Sequence, residues 1–289
     1  DAAFFLQPYA GPAEKEKLEG IMSEWMSTEQ DLRTKLGSTT VGQLVPRAGA
    51  KGLDSMKLWL KETKKPATVQ RGILEHGDTP EDKAALATIL AERAEASHPK
   101  LSNELEVAIL ENHHSNLAPY MEKAIKDPKT PNKVKDGFMD ALAKGKGVKA
   151  TPFFADLVRT QTGLLRWVAA QRLIEIRGKS GILVAANAFP LEGYLDEDWK
   201  EESEILCNFF STEMPKLGVD SISPELHQAL QSERWPARVI GLQCIGITAD
   251  KSLKDAAAAL SSDKAPLPQW GDEEKFTVGN LATQVAEKL

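Results

Sequence analysis

The sequence predicts an all-α protein, an α-solenoid of stacked antiparallel helix pairs with an N-terminal helical extension. Three observations point there. Between Thr130 and Ala186, apolar residues recur at helical spacing in segments separated by only a few residues. A start signal, Thr or Ser before Pro, recurs as Thr79-Pro80, Thr130-Pro131, Thr151-Pro152 and Ser223-Pro224. Arg166-Trp167-Val168-Ala169 is echoed by Arg234-Trp235-Pro236-Ala237, 68 positions later, or two periods of 34. A period in that range is the mark of stacked helical repeats.

Two regions follow. Residues 1–50 form an N-terminal extended segment plus an amphipathic helix, and residues 51–289 form the helical-repeat solenoid. Residues 1–12 are an apolar leader ending at Gly11-Pro12, suited to pack on the chain's own body or to dock on a partner. From Ala13 one face carries Leu18, Ile21, Met22, Trp25, Met26, Leu32 and Leu36, which predicts a helix. Gly37 to Gly52 reads as a connector with a short apolar patch at Val41, Leu44 and Val45. Short helices follow over 53–63 and Val69 to Leu74. Thr79-Pro80-Glu81-Asp82 opens the next, its acids placed at the positive end of the helix dipole. Leu105 to Leu110 and Leu117 to Ile125 carry two more.

Thr130-Pro131 starts a helix through Val134, Phe138, Met139 and Leu142, ended at Gly145-Lys146-Gly147, where glycine accommodates a left-handed cap. Thr151-Pro152 starts a short one with Phe153, Phe154, Leu157 and Val158. Gly163 breaks the chain, a third helix runs to Gly178, and a fourth spans Ile182 to Ala188. The second helices of successive pairs begin near 131, 163, 198, 234 and 274. Phe189 to Asp198 and Ser261 to Glu273 are long connections of the same type. A stacked array places both on one edge. That edge would carry Tyr194, Asp196, Glu197, Asp198 and Trp270, and the opposite edge Lys144, Lys146 and Lys149.

Ala237 to Gly246, followed by Asp250, Leu253 and Leu260, resembles the HEAT-repeat pattern. It has an Arg early in the second helix, small residues, a Gly-apolar ending and a turn Asp. Arg166 to Gly178 is a looser match. The resemblance covers roughly residues 79–289. It implies stacked helix pairs and a habit of protein binding, not a reaction.

A hydrophobic content of 42% and a charged content of 27% suit a packed, water-soluble chain. The net charge of −6 argues against nucleic acid or acidic lipid as partner for the surface as a whole. No apolar run approaches the ~20 residues of a membrane span. The chain begins at Asp1 without Met, which reads as a processed or trimmed product. The expected place is the cytoplasm, or the cell envelope if Asp1 follows a cleaved signal or a lipidated residue. Cys207 and Cys244 sit in apolar helical patterns and read as buried free thiols.

Gly178-Lys179-Ser180 is no phosphate loop, because Leu173 stands where that motif needs Gly and a helix precedes it. Glu111, His113 and His114 read as a solvated helix end, since adjacent imidazoles diverge by about 100° on a helix. The His-Glu dipeptides of HEAT-like di-iron hydroxylases are missing; Glu75-His76 runs in reverse order. No metal, cofactor or catalytic residue is expected.

Two charged stretches stand out. Lys123, Lys126, Lys129, Lys133, Lys135, Lys144, Lys146 and Lys149 face only Glu122, Asp127, Asp136 and Asp140. This basic stretch reads as a solvated face, a surface for an acidic protein or membrane, or a nucleic-acid patch; the HEAT resemblance includes DNA glycosylases with a basic concave face. Glu192, Asp196, Glu197, Asp198, Glu201, Glu202 and Glu204 form the acidic counterpart, a helix N-terminus or a docking surface for a basic partner. Trp167 and Trp235 read as core. Trp270, in a Pro/Gly-bounded loop, reads either as an interface anchor or as a side chain packed on the solenoid edge. The functional expectation is a non-catalytic scaffold or assembly subunit that binds one or more proteins through the edge or groove of the array. The alternative is a HEAT-like nucleic-acid-binding protein, or base-excision enzyme, acting through Lys123–Lys149.

Overall fold

The computed structural model describes residues 7–28, 38–112, 115–190, 212, 218–267 and 276–289. These are all-α. The helices are α1 Pro12–Thr28, α2 Ser38–Ala48, α3 Leu53–Glu62, α4 Pro66–His76, α5 Pro80–Ser97, α6 Asn103–Asn112, α7 Ala118–Lys126 and α8 Asn132–Lys146. They continue as α9 Thr151–Thr160, α10 Gly163–Arg177, α11 Lys179–Ala188, α12 Val219–Leu230, α13 Trp235–Thr248, α14 Lys254–Ala258 and α15 Val278–Lys288. The chain divides into two compact units, Asp1–Gly145 and Lys146–Leu289, so contacts thin out at 145/146 rather than at 50/51.

Within the first unit helices pack on neighbours one or two places along the chain. α1 touches α2 and α3, α2 touches α4, α3 touches α4 and α5, α4 touches α5 and α6, and α5 touches α6 and α7. Tyr120 of α7 meets Phe138 of α8 edge-on, with ring centres 5.9 Å apart. In the second unit α9 touches α10 and α11, α11 touches α12 and α13, and α12 touches α13 and α14. Helices α13 and α14 both reach α15. Two neighbours per helix are needed because each apolar stripe is wide. Leu157 and Val158 of α9, Leu173 and Ile174 of α10, and Ile182, Ala185 and Ala186 of α11 are all buried.

Several starts differ from the sequence expectation. Thr79 caps α5, its hydroxyl accepting from the Asp82 amide at 3.1 Å. The Thr130 hydroxyl caps nothing: it is buried without a partner, and the Pro131 carbonyl accepts the first amides of α8 instead. Thr151 opens α9, but its hydroxyl donates back to the Val148 carbonyl. Pro224 lies inside α12, which already begins at Val219. The supposed connector at Gly37–Gly52 contains α2, whose Val41, Leu44, Val45 and Ala48 are buried at helical spacing. Pro46 stands near the end of that helix, where it removes only one backbone bond. α15 begins at Val278 through a capping box between Thr277 and Asn280. Trp167 is buried as expected, whereas Trp235 is only half-buried.

The α10–α11 corner is the tightest joint. Gly178 takes φ +61°, in the left-handed region. A Cβ on Gly181 would sit 2.3 Å from the Leu173 carbonyl oxygen and 2.7 Å from the Ile174 Cα. Backbone cannot move aside as a flexible side chain can. Gly181→Ala should therefore destabilise the protein by about 1–3 kcal/mol in urea unfolding. Gly20→Ala, whose Cβ meets nothing within 4 Å, should be neutral or gain up to about 1 kcal/mol. Equal effects at the two positions would refute the backbone-contact account of Gly181.

Candidate functional site

Of the residues marked in the sequence as an interaction edge, Tyr194, Asp196, Glu197, Asp198 and Trp270 lie outside the described residues, as do 1–6 of the leader. Ala265–Leu267 and Phe276–Val278, on either side of the Trp270 segment, are joined by Leu267 and Val278 amides donating to the Phe276 and Ala265 carbonyls. Tyr9 is 87% exposed.

The basic stretch is largely neutralised or divided. Lys133 and Lys144 belong to the first unit, Lys146 and Lys149 to the second. Lys144 pairs with Asp140 at 2.6 Å and Lys123 with Glu95 at 2.6 Å. Lys133 and Lys149 are exposed, but Lys135, counted in the same stretch, turns inward and is 4% exposed. Burial pushes its ammonium below the ordinary lysine range, against the opposing pull of Asp127.

What the structure does assemble is a pair of adjoining grooves in the second unit. The first, of about 550 Å³, lies between α9 and α11. Pro152, Ala155, Leu183 and Val184 make its apolar walls, and Asn187 and Arg234 close one end. The second, of about 570 Å³, lies between α12 and α14, with Leu230, Ala256, Ala259 and Leu260 as walls and Ser232 at one end. They meet at a seam where the Ser232 hydroxyl donates to Asn187 Oδ1 at 3.0 Å. Contacts α9·α11, α11·α12 and α12·α14 set these helices side by side. Three steps at about 9 Å per helix spacing give a path of roughly 27 Å, the length of about eight extended residues. A comparable groove of about 520 Å³ runs between α3 and α5 in the first unit, past the half-exposed Leu58.

The seam is organised by Phe189, which is fully buried. Its ring packs on Trp167 at 4.9 Å between centres, and the Arg166 guanidinium stands 5.9 Å over it. Arg234 donates through Nη2 to the Phe189 carbonyl. The echoed Arg-Trp elements thus converge on one residue. Arg159 pairs with Asp156 along the first groove, and Arg238 with Asp263 at 2.7 Å in the second. Sequence reasoning missed the groove residues. Their one signal is alanine on solvent-facing positions of α9 and α14, which leaves room beside the helix.

A second cluster, in the first unit, joins the end of α5 to the turn after α7. His98 Nε2 lies 2.6 Å from Asp127 Oδ2, and the Lys129 amide donates to Asp127 Oδ1 at 2.8 Å. The His98 contact foremost, then the Lys129 amide, holds Asp127 below the usual carboxylate range. Burial, reinforced by Glu95, raises the Tyr120 hydroxyl to about 12. Among the described residues no three His, Cys, Asp or Glu side chains are grouped to hold a metal ion, and no helix is long and apolar enough to cross a membrane. No protein-family model matches this chain, and no curated protein does.

Because the folded carboxylate is more acidic than an unfolded one, Asp127 contributes stability above about pH 4, and that contribution disappears as pH falls through its lower folded value. Asp127→Asn should lower the melting temperature at pH 7, and the gap to the parent should close between about pH 4 and pH 2. A gap that stays constant over that window in a pH series of thermal melts would mean the carboxylate charge contributes nothing.

Proposed function

We propose that this chain is a non-catalytic protein-binding scaffold, built of HEAT-like stacked helix pairs, that holds an extended segment of a partner in the grooves of its second unit. The observation that carries this reading is the succession of first helices, α9, α11, α12 and α14, side by side with two grooves meeting at Asn187–Ser232. A chain about eight residues long can lie across all four. Packing of helices mainly on neighbours one or two places along the chain supports the repeat reading. So does Asp250, the turn residue of the HEAT resemblance. It accepts from the Ser223 hydroxyl and from the Ser252 amide, tying α12 to the turn before α14.

Nucleic acid is the weaker reading. Phosphate binding draws on unopposed surface cations, and Lys123 and Lys144 have acids while Lys135 is buried.

The test is affinity capture with the intact chain, identified by mass spectrometry, and repeated with Ala259→Glu, Leu183→Glu and Val107→Glu. Ala259 is exposed on the second groove, and Val107 is exposed in the first unit and lines neither groove. The groove substitutions should remove the captured protein at least about tenfold, as placing a charge against apolar contact does, while Val107→Glu retains it. Capture that survives both groove substitutions refutes the reading. Circular dichroism melts establish that the variants are folded.

A further inference from the structure

We infer that the seam between the two grooves takes a carboxylate, so that the partner segment is an extended peptide carrying an acidic residue beside small apolar ones. This rests on the groove reading above and adds the chemistry of the occupant.

The inference begins with an imbalance among the three groove arginines. Arg159 has Asp156 and Arg238 has Asp263. Arg234, half-buried at the end of the first groove, has no carboxylate partner among the described residues. A guanidinium carries five N–H donors. Here Nη2 donates to the Phe189 carbonyl, and Nε is buried without a partner. Holding one carbonyl uses one donor; the remaining cation is drawn partly out of water with no acid opposite it among the described residues. Such a charge is costly until an anion arrives. The exposed Arg159 side chain adds positive charge on the same groove, giving two cations against Asp156.

The walls select the rest of the ligand. Pro152, Ala155, Leu183 and Val184 accept a small apolar side chain next to the seam. The second groove is electrically balanced by Arg238 and Asp263, with Ala256 and Ala259 leaving room for backbone. One carboxylate among apolar residues fits this pattern. A run of phosphates does not, because it would need a cation at every step. A carboxylate presented to a guanidinium forms paired, charge-assisted bonds that fix the register of the peptide.

The experiment selects random nine-residue peptides by phage display against the full chain, then measures the enriched sequences by fluorescence anisotropy. Enriched peptides should carry Asp or Glu adjacent to Ala, Val or Leu. Changing that acid to its amide should weaken binding at least about tenfold. Arg234→Gln keeps an N–H for the Phe189 carbonyl and should lose a similar factor; Arg159→Glu, on an exposed side chain, should also weaken binding. Enrichment of Lys or Arg, or acidic peptides that bind Arg234→Gln and Arg159→Glu as well as the parent, overturns the carboxylate seam while leaving the groove reading intact. Equal displacement by a nine-nucleotide single strand overturns it too. Binding that appears only after Asp196, Glu197 and Asp198 are neutralised means the chain's own acids supply the anion, and also overturns it. Failure of the groove reading itself looks different: no peptide is enriched, and protein capture is indifferent to Ala259→Glu.

Discussion

An α-helix ends in carbonyls that its own backbone cannot satisfy, and at a corner pressed between neighbouring helices water reaches few of them. In this chain arginine supplies the missing donors. Arg93 donates to the Leu60 and Thr63 carbonyls at the end of α3. Arg166 donates to the Gln161 carbonyl after α9, Arg234 to Phe189 after α11, and Arg238 to Ser232 and Glu233 after α12. Each of these carbonyls lies at or just after the C-terminal end of a helix. Packing at these corners depends on the ends being closed, since an open end would hold water where the following helix lies. Burial pushes the Arg93 guanidinium below its ordinary value, which marks how far from water such a donor is drawn.

Helix content was legible because it is local. The apolar stripes of α8 and α10 and the left-handed glycine at 178 announce themselves within a few residues. The Ser/Thr-Pro signal was less informative than its recurrence suggested. Proline fits the first turn of a helix whatever the preceding hydroxyl does, so Thr79 caps while Thr151 bonds backwards and Thr130 is stranded. Pro224 is the sixth residue of α12, past the first-turn positions where proline normally marks a start, which hid the true start at Val219. α2 was obscured by Pro46 and its flanking glycines, although Val41, Leu44, Val45 and Ala48 already had the spacing of a buried face.

The grooves were not legible, for a physical reason. Asn187 and Ser232 are 45 residues apart, and nothing in either neighbourhood anticipates a hydrogen bond between them. The sequence does mark Arg166 and Arg234 as equivalent, yet equivalence in a repeat says nothing about what the two share. Their convergence on Phe189, one over the ring and one on the carbonyl, exists only after α10, α11 and α13 are in place. The lysine stretch shows the converse. Its excess of positive charge is real in composition, but Lys135 faces inward and Lys123 and Lys144 find acids only across helix turns or from α5.

Closing a helix end with arginine rather than with a backbone amide has a consequence at the surface. One carbonyl engages one or two of five donors, and the remainder of the fork must meet water, an acid of the chain or something else. Arg238 meets Asp263, its side chain and that of the acid both nearly covered, and the second groove is neutral there. Arg234 closes α11 in the same manner but leaves its charge at the mouth of an apolar groove. On the groove reading proposed above, the bond that closes α11 also leaves a cation where a partner's carboxylate would be rewarded. On that reading one residue both closes a helix end and meets a partner, so stacking and recognition do not require separate residues.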